Sequence, residues 1–336
     1  MTLKKFIVLV ATILALFACN DDPSDIHKPE ITPTSSSSFS PIEERPGMIR
    51  VPASDFKVNL AEKMNVTLTY EFLIGIHEVT CGEYGDLSCA GDSLPVANIT
   101  FFDAALFANA KSKAESLDTV YTYTKATFDS QNHCTYLENF ATNYDKLGYR
   151  LPTEAEWVKA AASDWDAANS WNSGNSGNVP HNVCSIKADN SKFCDFAGNV
   201  MEWVNDWLGP ITESSYSNFI GAAQPNGIGE RIVKGGSFAN DIQSINLYSR
   251  GDVYTVTSST RADYVGFRLA LGIIPNPQTI SNSAQQGGQT ITNLANSDII
   301  RNITGTYAAK LAFRNDISGN LVFINYSDIT LSMVEI

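Results

Sequence analysis

The side chains best suited to chemistry in this chain of 336 residues are its cysteines and histidines, and their spacing limits what they can do. No two cysteines have the C-x-x-C spacing that accompanies many metal sites, and the histidines do not cluster. The G-x-S-x-G, H-E-x-x-H and phosphate-binding glycine motifs of common enzyme classes are also missing. These patterns favour structural uses of the cysteines over metal binding. The four histidines are His27, His77, His133 and His181.

Cys19 stands directly after an apolar segment typical of exported proteins. Two lysines precede residues 6–18, which are apolar apart from one threonine. This segment is shorter than the roughly 20 residues that a transmembrane helix needs, and its pattern predicts a secretory signal peptide over residues 1–18. Leu-Phe-Ala-Cys at 16–19 resembles a bacterial lipobox, in which the cysteine is acylated; a plain signal peptide with an incidental cysteine is the alternative. We therefore expect a lipid anchor in the bilayer of a bacterial cell envelope, on the outer membrane and either periplasmic or surface-facing.

Export would place the other cysteines in an oxidising compartment, where disulfides persist. Five remain after the lipobox cysteine, so at least one is free or pairs between chains. The disulfide connectivity does not follow from sequence alone. Pairs that close short loops are preferred, and two such pairs leave Cys134 without a partner. The preferred disulfides are Cys81–Cys89 and Cys184–Cys194.

The composition is that of an ordinary soluble globular protein, with 43% hydrophobic and 18% charged residues. The formal net charge is −13, and no basic stripe offsets it. An acidic surface repels phosphate backbones, so we do not expect a nucleic-acid partner.

Composition also marks the boundaries along the chain. A stretch rich in proline, serine and acidic residues follows the signal peptide, and a second polar stretch begins near residue 273. Neither can bury a core, so both are predicted to be linkers. The predicted divisions are a signal peptide (1–18), a flexible tether (19–46), a main domain (47–272), a linker (273–304) and a C-terminal β-meander (305–336).

Three short runs of alternating apolar and polar residues at 307–313, 321–326 and 331–336 predict the meander. Three strands alone are marginally stable in water. They either pack on the main domain or begin a larger repeat, and they resemble the opening blade of a TolB-like propeller.

The main domain combines few helices with many short strands and long loops, which predicts an α+β fold. Thr100 and Thr153 each stand three positions before an acidic residue, a pattern typical of a capped helix start. Trp203 and Trp207 lie four positions apart and are expected to share one buried face of a short helix.

Four segments in fixed order carry a family resemblance: YRLPTEAEW at 149–157, AGNVMEWVNDW at 197–207, VKGGSF at 233–238 and VGFRLA at 265–270. Together they resemble the formylglycine-generating enzyme family, also called sulfatase-modifying factors. The resemblance covers roughly residues 48–271 and implies a variant of the C-type-lectin fold.

The resemblance implies a calcium site at the turn before Trp203. Its ligands would be the carbonyl oxygens of Asp195, Gly198 and Val200 and the carboxylate of Glu202. Calcium prefers six to eight oxygen ligands, which suits carbonyls on a turn beside a carboxylate. The alternative is that Glu202 caps or forms a salt bridge within the fold and binds no metal.

The resemblance also locates the catalytic centre of the family's oxidases, which bind copper through two cysteines just after the Gly-Gly-Ser turn. This sequence has Asn240 and Ile245 at those positions. Copper(I) needs soft thiolate ligands, so we expect neither copper nor catalytic residues of the oxidase type. Arg250 and Arg268 are expected to form structural ion pairs, with anchoring of an anionic ligand as the alternative.

These observations predict a lipid-anchored binding or scaffolding module with its ligand face in loops 169–183 and 240–264. Carbohydrate or an envelope protein is the expected partner. One alternative is an enzyme of the same superfamily with a different active site, using the unpaired Cys134. Another is a purely structural partner in a surface complex.

Overall fold

The computed structural model describes residues 42–57, 64–86, 88–187, 189–211, 213–251 and 256–280, and the backbone of four further strands between 306 and 330. The chain divides into two compact units, Met1–Pro41 and Ile42–Ile336, and the first lies outside the described residues. The predicted signal peptide, the lipidation of Cys19 and most of the predicted tether lie there too. They remain predictions.

The helices of the described residues are few and short, as the composition of the main domain predicts. No helix in the described residues combines the length and the hydropathy of a transmembrane span. The helices are α1 (Cys81–Tyr84), α2 (Phe101–Ala114), α3 (Glu154–Ala161) and a single 3-10 turn at Ala167–Asn169.

Both predicted helix starts are confirmed as capping boxes. Thr100 Oγ1 accepts the Asp103 N–H at 2.9 Å, and Asp103 Oδ2 accepts the Thr100 N–H at 3.0 Å. Thr153 and Glu156 make the same reciprocal pair at 3.1 and 2.9 Å. Each box satisfies two backbone donors that the first helical turn leaves without partners.

Short strands carry most of the regular structure. They are β1 (Met48–Val51), β2 (Ser54–Lys57), β3 (Asn65–Leu68), β4 (Phe72–Gly75), β5 (Tyr121–Thr122), β6 (Lys125–Phe128), β7 (Cys134–Glu138), β8 (Ala141–Thr142), β9 (Tyr149–Arg150), β10 (Met201–Trp207), β11 (Ser215–Ser217), β12 (Phe219–Ala222), β13 (Arg231–Lys234), β14 (Val265–Phe267), β15 (Ala270–Leu271), β16 (Gln278–Ile280), β17 (Thr306–Tyr307), β18 (Lys310–Arg314), β19 (Leu321–Asn325) and β20 (Ile329–Thr330).

Two larger sheets organise the main domain. One has the order β1-β4-β15-β9, and the other has the order β13-β10-β12-β16 with β14 paired to β10. A three-stranded sheet, β11-β3-β2, and the ribbons β5-β8 and β6-β7 complete it. In the two larger sheets, neighbouring strands are never consecutive in the chain. The predicted α+β class is confirmed.

The helix predicted around Trp203 and Trp207 is wrong, because residues 201–207 form strand β10. This strand pairs antiparallel with β13 on one side and parallel with β14 on the other. The two neighbours supply the backbone hydrogen bonds, and this tertiary pairing decides between helix and strand. Trp203 is buried, as predicted, but the prediction that Trp207 shares its buried face is wrong. Trp207 is only partly buried and packs against a different hydrophobic cluster, because a register shift between the two tryptophans interrupts the regular alternation of the strand.

Two hydrophobic clusters form the core, and β10 contributes to both. Trp203 belongs to the cluster around α2, whereas Val204 belongs to the cluster around α3, because successive strand side chains point to opposite faces. Trp157 of α3 is fully buried in the second cluster. Burial of one such large side chain stabilises the fold by about 2–3 kcal/mol.

Both preferred disulfides are present, Cys81–Cys89 and Cys184–Cys194. Cys134 is free and buried, also as expected.

The C-terminal strands pair two by two, β17 with β20 and β18 with β19. Two of the three runs predicted for the meander thus overlap strands that form one antiparallel pair, β18 with β19, while residues 331–336 lie outside the described residues.

Candidate functional site

The segment from 195 to 202, which we call the 195–202 turn, follows a backbone path that few residues adopt. Asp195, Gly198 and Asn199 have φ of 58°, 76° and 52°. A Cβ on Gly198 would lie 2.2 Å from the carbonyl oxygen of Trp171. Only glycine fits at Gly198, since the neighbouring backbone closes the space that a side chain would need.

Glu202, the second residue of β10, is fully buried and forms an ion pair with Arg268. Its Oε1 accepts Nη2 of Arg268 at 2.6 Å. Its Oε2 accepts Nε of Arg268 at 2.6 Å and the indole N–H of Trp157 at 2.8 Å. These bonds use three of about four lone-pair sites of the carboxylate. Glu202 thus makes the salt bridge that the sequence left as the alternative to metal binding, and one site on Oε1 remains for a cation.

The remaining donors of Arg268 connect Glu202 to other segments. Nη1 donates to the carbonyl oxygens of Gly75 and Ile76 at 3.1 and 3.2 Å, and Nη2 donates to that of Cys194 at 3.0 Å. The guanidinium therefore ties the end of β4, the 195–202 turn and β10 together. This confirms that Arg268 takes part in a structural ion pair.

Two further carboxyl groups lie close to this ion pair. Glu78 is completely buried, and its Oε2 has no hydrogen-bond partner. Asp195 is almost completely buried and accepts the Cys184 N–H at 2.7 Å. Burial raises the pKa of Glu78 well above its usual range, and the charges of Asp195 and Glu202 raise it further. Burial likewise raises the pKa of Asp195 to about 6. We call Glu78, Asp195 and Glu202 the carboxylate cluster.

The chemistry of this region fits a calcium ion. In the described parts of the chain, no turn, loop, cap or side-chain hydrogen bond ends on the carbonyl oxygens of Asp195, Gly198 or Val200. A buried carboxylate oxygen without a hydrogen-bond partner, such as Oε2 of Glu78, and the carbonyl oxygens of a turn are ligands that calcium prefers. A site with sulfur ligands does not fit, because Cys184 and Cys194 are joined in a disulfide.

The Gly-Gly-Ser turn follows β13 and packs against the 195–202 turn. A Cβ on Gly235 would lie 2.8 Å from the carbonyl oxygen of Phe196, and one on Gly236 would lie 2.8 Å from Cγ1 of Ile245. Asn240 Oδ1 accepts both the N–H and the hydroxyl of Ser237, at 2.8 and 2.9 Å. Asn240 therefore caps this turn, and the buried Ile245 packs against it.

The 169–183 loop lies against the Gly-Gly-Ser turn. The N–H of Ser173 donates to the carbonyl oxygen of Asn240 at 2.9 Å, and the hydroxyl of Ser176 donates to that of Phe238 at 2.9 Å. The rings of Trp171 and His181 stack with centroids 3.6 Å apart. We call residues 169–183 and 235–246 together the loop face. Contacts between these two segments confine their backbones.

A second buried network surrounds Glu154 at the start of α3. Arg250 Nε lies 2.9 Å from both oxygens of Glu154, and Lys234 Nζ lies 3.5 Å from Oε1. Asp206 accepts the Glu154 N–H at 2.8 Å through Oδ2, while its buried Oδ1 has no partner. Burial raises the pKa of Asp206 to about 8 and lowers that of Lys234 to about 8. Arg250 thus forms a structural ion pair, as expected.

Cys134 lies in β7 beneath α2. Burial raises the pKa of its thiol, so the reactive thiolate is disfavoured at neutral pH. Asp103 Oδ1 accepts a hydrogen bond from the Cys134 N–H at 2.7 Å, and Asp103 Oδ2 lies 2.8 Å from Nδ1 of His133. These contacts join β7 to α2. The burial and the contacts of Cys134 therefore indicate a structural role for this residue, not a catalytic one.

Sequence reasoning missed Glu78 altogether. The position of Glu78 in the sequence could have indicated a buried acidic residue, because it lies between the apolar residues of β4 and Val79 in FLIGIHEV. A single acidic residue inside an apolar run is either paired or a ligand, because burial of an uncompensated charge is costly.

The fold is a mixed α+β arrangement of the formylglycine-generating-enzyme type, a variant of the C-type-lectin fold. The profile of the family described as "Sulfatase-modifying factor enzyme 1-like domain" matches residues 87–273. The chain belongs to this family, and the resemblance noted in the sequence is confirmed.

Proteins similar to this chain include a chaperone protein, a formylglycine-generating enzyme and a variable protein of known structure. Chaperone protein LppX of Paenibacillus barcinonensis is 30% identical over 181 residues, which cover 43% of this chain and 64% of that protein. The formylglycine-generating enzyme of Streptomyces coelicolor is 29% identical over 161 residues, covering 39% of this chain and 50% of the enzyme. The chain thus spans less than two thirds of either relative. The solved structure of Treponema denticola variable protein 1 is 26% identical with a TM-score of 0.58, covering 67% of this chain and 94% of that one.

Proposed function

We propose that the main domain is a non-catalytic module that binds a polypeptide partner in the bacterial cell envelope. The observation that carries this proposal is the use of Asn240 as a cap for Ser237 and of Ile245 as a core residue against Gly236. The family's oxidases need two thiolates at these positions. An amide and a hydrocarbon provide no soft ligand for copper(I), so the residues that would hold copper instead stabilise the turn.

The loop face supports a polypeptide over a carbohydrate partner. Val179 and Ile242 expose 52% and 39% of their surface there, and aliphatic side chains of this kind contact apolar side chains of a protein partner. Carbohydrate recognition relies on open aromatic faces. The indole of Trp171 is covered on one face by His181. The chaperone name of the Paenibacillus relative agrees with a protein partner.

The N-terminal sequence supports a location in the envelope. A lipobox-like Leu-Phe-Ala-Cys after an apolar segment would anchor the chain through acylated Cys19, and the polar residues after it would act as a tether. The loop face would then act within reach of the membrane.

A calcium ion is part of the proposal as a structural element. The carbonyl oxygens of Asp195, Gly198 and Val200 and the carboxylate cluster would hold it. When bound, the ion supplies positive charge that neutralises buried carboxylates and fixes the 195–202 turn. Because this turn supports both segments of the loop face, the ion would keep the binding surface ordered.

The proposal is tested with arrays of short peptides from bacterial envelope proteins, compared with a glycan array. We expect the purified chain to bind a subset of peptides and the V179R/I242R variant to lose at least about tenfold in affinity, since both arginines disrupt apolar contacts. The matched control is Ile228→Arg. Ile228 is 62% exposed and lies outside the loop face, so its replacement leaves binding unchanged.

Two results would overturn the proposal. Glycan binding without peptide binding would assign the module to carbohydrate. Conversion of a cysteine-containing peptide to the formylglycine product in the presence of copper(I) would show that the domain is an enzyme.

A further inference from the structure

A groove lies along helix α2, and none of its lining residues belongs to the loop face. Its volume is about 420 Å³, which falls within the range of small-molecule sites in proteins. Phe107, Ala110 and Ala114 line it from α2, and their spacing places them on one face of the helix. Both alanines are exposed and have no atoms beyond Cβ, so they leave space above the helix that opens to solvent. We call this space the α2 groove.

The apolar sides of the α2 groove are held in place by the surrounding structure. Val79 and Leu269 line it together with the α2 residues, and both are buried. The Val79 N–H donates to the carbonyl oxygen of Phe267 at 2.8 Å. The ring of Phe107 stacks on Tyr84 with centroids 5.2 Å apart and meets Phe267 edge-on at 5.6 Å. The groove is therefore preformed and does not have to be opened by a ligand.

Lys111 contributes its methylene carbons to the α2 groove, because its ammonium group is paired elsewhere. Nζ lies 3.0 Å from Oε1 of Glu115 and 4.9 Å from the centroid of the Tyr149 ring. Glu115 is held in turn by an ion pair with Arg45 and by the Tyr149 hydroxyl, which donates to it at 2.7 Å. The positive charge of Lys111 is thus neutralised, and an anionic ligand gains little from it.

The negative charge beside the α2 groove is not neutralised. Glu83 of α1 lines the groove and is exposed, and its Oε2 accepts the Thr80 N–H at 2.8 Å. Asp86 follows at the end of α1, and Asp92 lies beside it, since the Gly82 N–H donates to the Asp92 carbonyl oxygen at 2.9 Å. No ion pair among the described residues involves these three acids. A positively charged occupant therefore complements this end of the groove.

We propose that the α2 groove binds a small amphipathic molecule that carries an organic cation. Its apolar chain lies against Phe107, Ala110 and Leu269, where burial of each methylene adds to the affinity. Its cationic group lies at Glu83. This inference goes beyond the proposed function, because it concerns a different site and a different class of ligand.

The test is calorimetric titration of the purified chain with three alkyl probes of equal chain length, below the concentrations at which they form micelles. The probes are decyltrimethylammonium, decyl maltoside and decyl sulfate. We expect the cation to bind about two- to fivefold more tightly than the maltoside at low salt, the gain of one exposed ion pair, and the sulfate to bind most weakly. Glu83→Gln should remove this preference and keep the fold, since glutamine also serves in a capping box. The control Glu213→Gln changes an exposed acid outside the groove and should retain the preference.

A second variant tests where the apolar chain lies. Ala110→Trp fills the α2 groove from an exposed helix position, so the fold is kept, and all three probes should bind at least about tenfold more weakly. The control Ala162→Trp makes the same change at an exposed position at the end of α3 and should leave binding unchanged.

Three results would overturn the inference: no binding of the cation to the wild type, equal binding by wild type and A110W, or tighter binding of decyl sulfate than of the cation. A wild-type dimer that A110W converts to a monomer in sedimentation would assign the groove to a second copy of the chain instead. Peptide binding at the loop face is measured separately, so either proposal can fail without the other.

Discussion

Two parallel hydrogen bonds of 2.6 Å join Arg268 to Glu202 inside the protein, Nε to Oε2 and Nη2 to Oε1. Both side chains are fully buried. Bidentate pairing of this kind gives strong, directional bonds. It connects the residue after β14 to β10, the strand with the most sheet neighbours, so the pair holds together the segments that form the candidate site.

Replacement of Arg268 by methionine should destabilise the protein by about 3–5 kcal/mol, because it leaves Glu202 buried and unpaired. Urea unfolding measures this loss. The control Arg261→Met breaks a partly exposed pair with Asp129 and should cost less than about 1 kcal/mol. The double variant E202Q/R268M should recover part of the loss. Equal losses for R268M and R261M would contradict a buried, unscreened pair.

Gly198→Ala should destabilise the protein more than Gly177→Ala. Both glycines have positive φ, 76° and 65°, so backbone strain is similar in the two variants. They differ in surroundings, since a Cβ at 198 would lie 2.2 Å from the Trp171 carbonyl oxygen and a Cβ at 177 meets nothing within 4 Å. We expect a difference of about 1–3 kcal/mol in the free energy of unfolding. Similar values would mean that the 195–202 turn relaxes without cost.

Gly236→Ala and Ile245→Ala should be non-additive. A Cβ at Gly236, where φ is 73°, would lie 2.8 Å from Cγ1 of Ile245. Removing that methylene relieves the clash, so the double variant should be more stable than the sum of the single losses by about 0.5–3 kcal/mol. A double-mutant cycle in urea measures the coupling. Strict additivity would show that the two residues do not contact.

Asp206 should make the protein less stable as the pH rises toward 8. Its folded pKa of about 8 is raised by burial, so its contribution is complete below about pH 4 and is lost as the pH rises through the folded pKa. Asp206→Asn removes this pH-dependent contribution to stability, because an amide does not ionise. The slope of unfolding free energy against pH between 5 and 8 should become more positive by up to about 1.4 kcal/mol per pH unit.

The control for this titration is Asp145→Asn at an exposed position, which should leave the slope unchanged. The contribution of Lys234 to stability changes with pH in the opposite direction, and it does so above pH 8. Burial lowers its folded pKa to about 8, so the unfolded chain binds the additional proton above pH 8 and stability from this group rises with pH. An unchanged slope in D206N would mean that Asp206 is ionised throughout.

Local sequence signals predicted the parts of the fold that depend on near neighbours. Thr100 and Thr153 mark helix starts because their capping partners lie three residues away. The motifs around Gly198 and Gly235 predicted the family, because both glycines have positive φ, a backbone conformation that favours glycine. Short loops also sufficed for the disulfides at Cys81 and Cys184.

Residues 201–207 show where local signals fail. Two tryptophans four positions apart suit a helix and a strand equally well. The strand forms because β13 and β14 pair with it, and even the nearest paired residues, Trp207 and Arg231, are 24 positions apart in the chain. Glu202 shows that local signals are also insufficient to predict the contacts of a site residue. Its motif position suggested a metal ligand, and the tertiary structure brings Arg268 to it from the far end of the domain.

The sequence by itself therefore determined the family, the α+β class, the capped helices and the replacement of the copper cysteines by Asn240 and Ile245. Only the tertiary structure decided which carboxylates are paired and which one is left over. Glu78 lies more than a hundred residues from Asp195, Glu202 and Arg268, and its charge matters only because folding removes all four groups from water together. Electrostatic energies depend on distance and burial in the folded state, and neither quantity can be read from the order of residues along the chain.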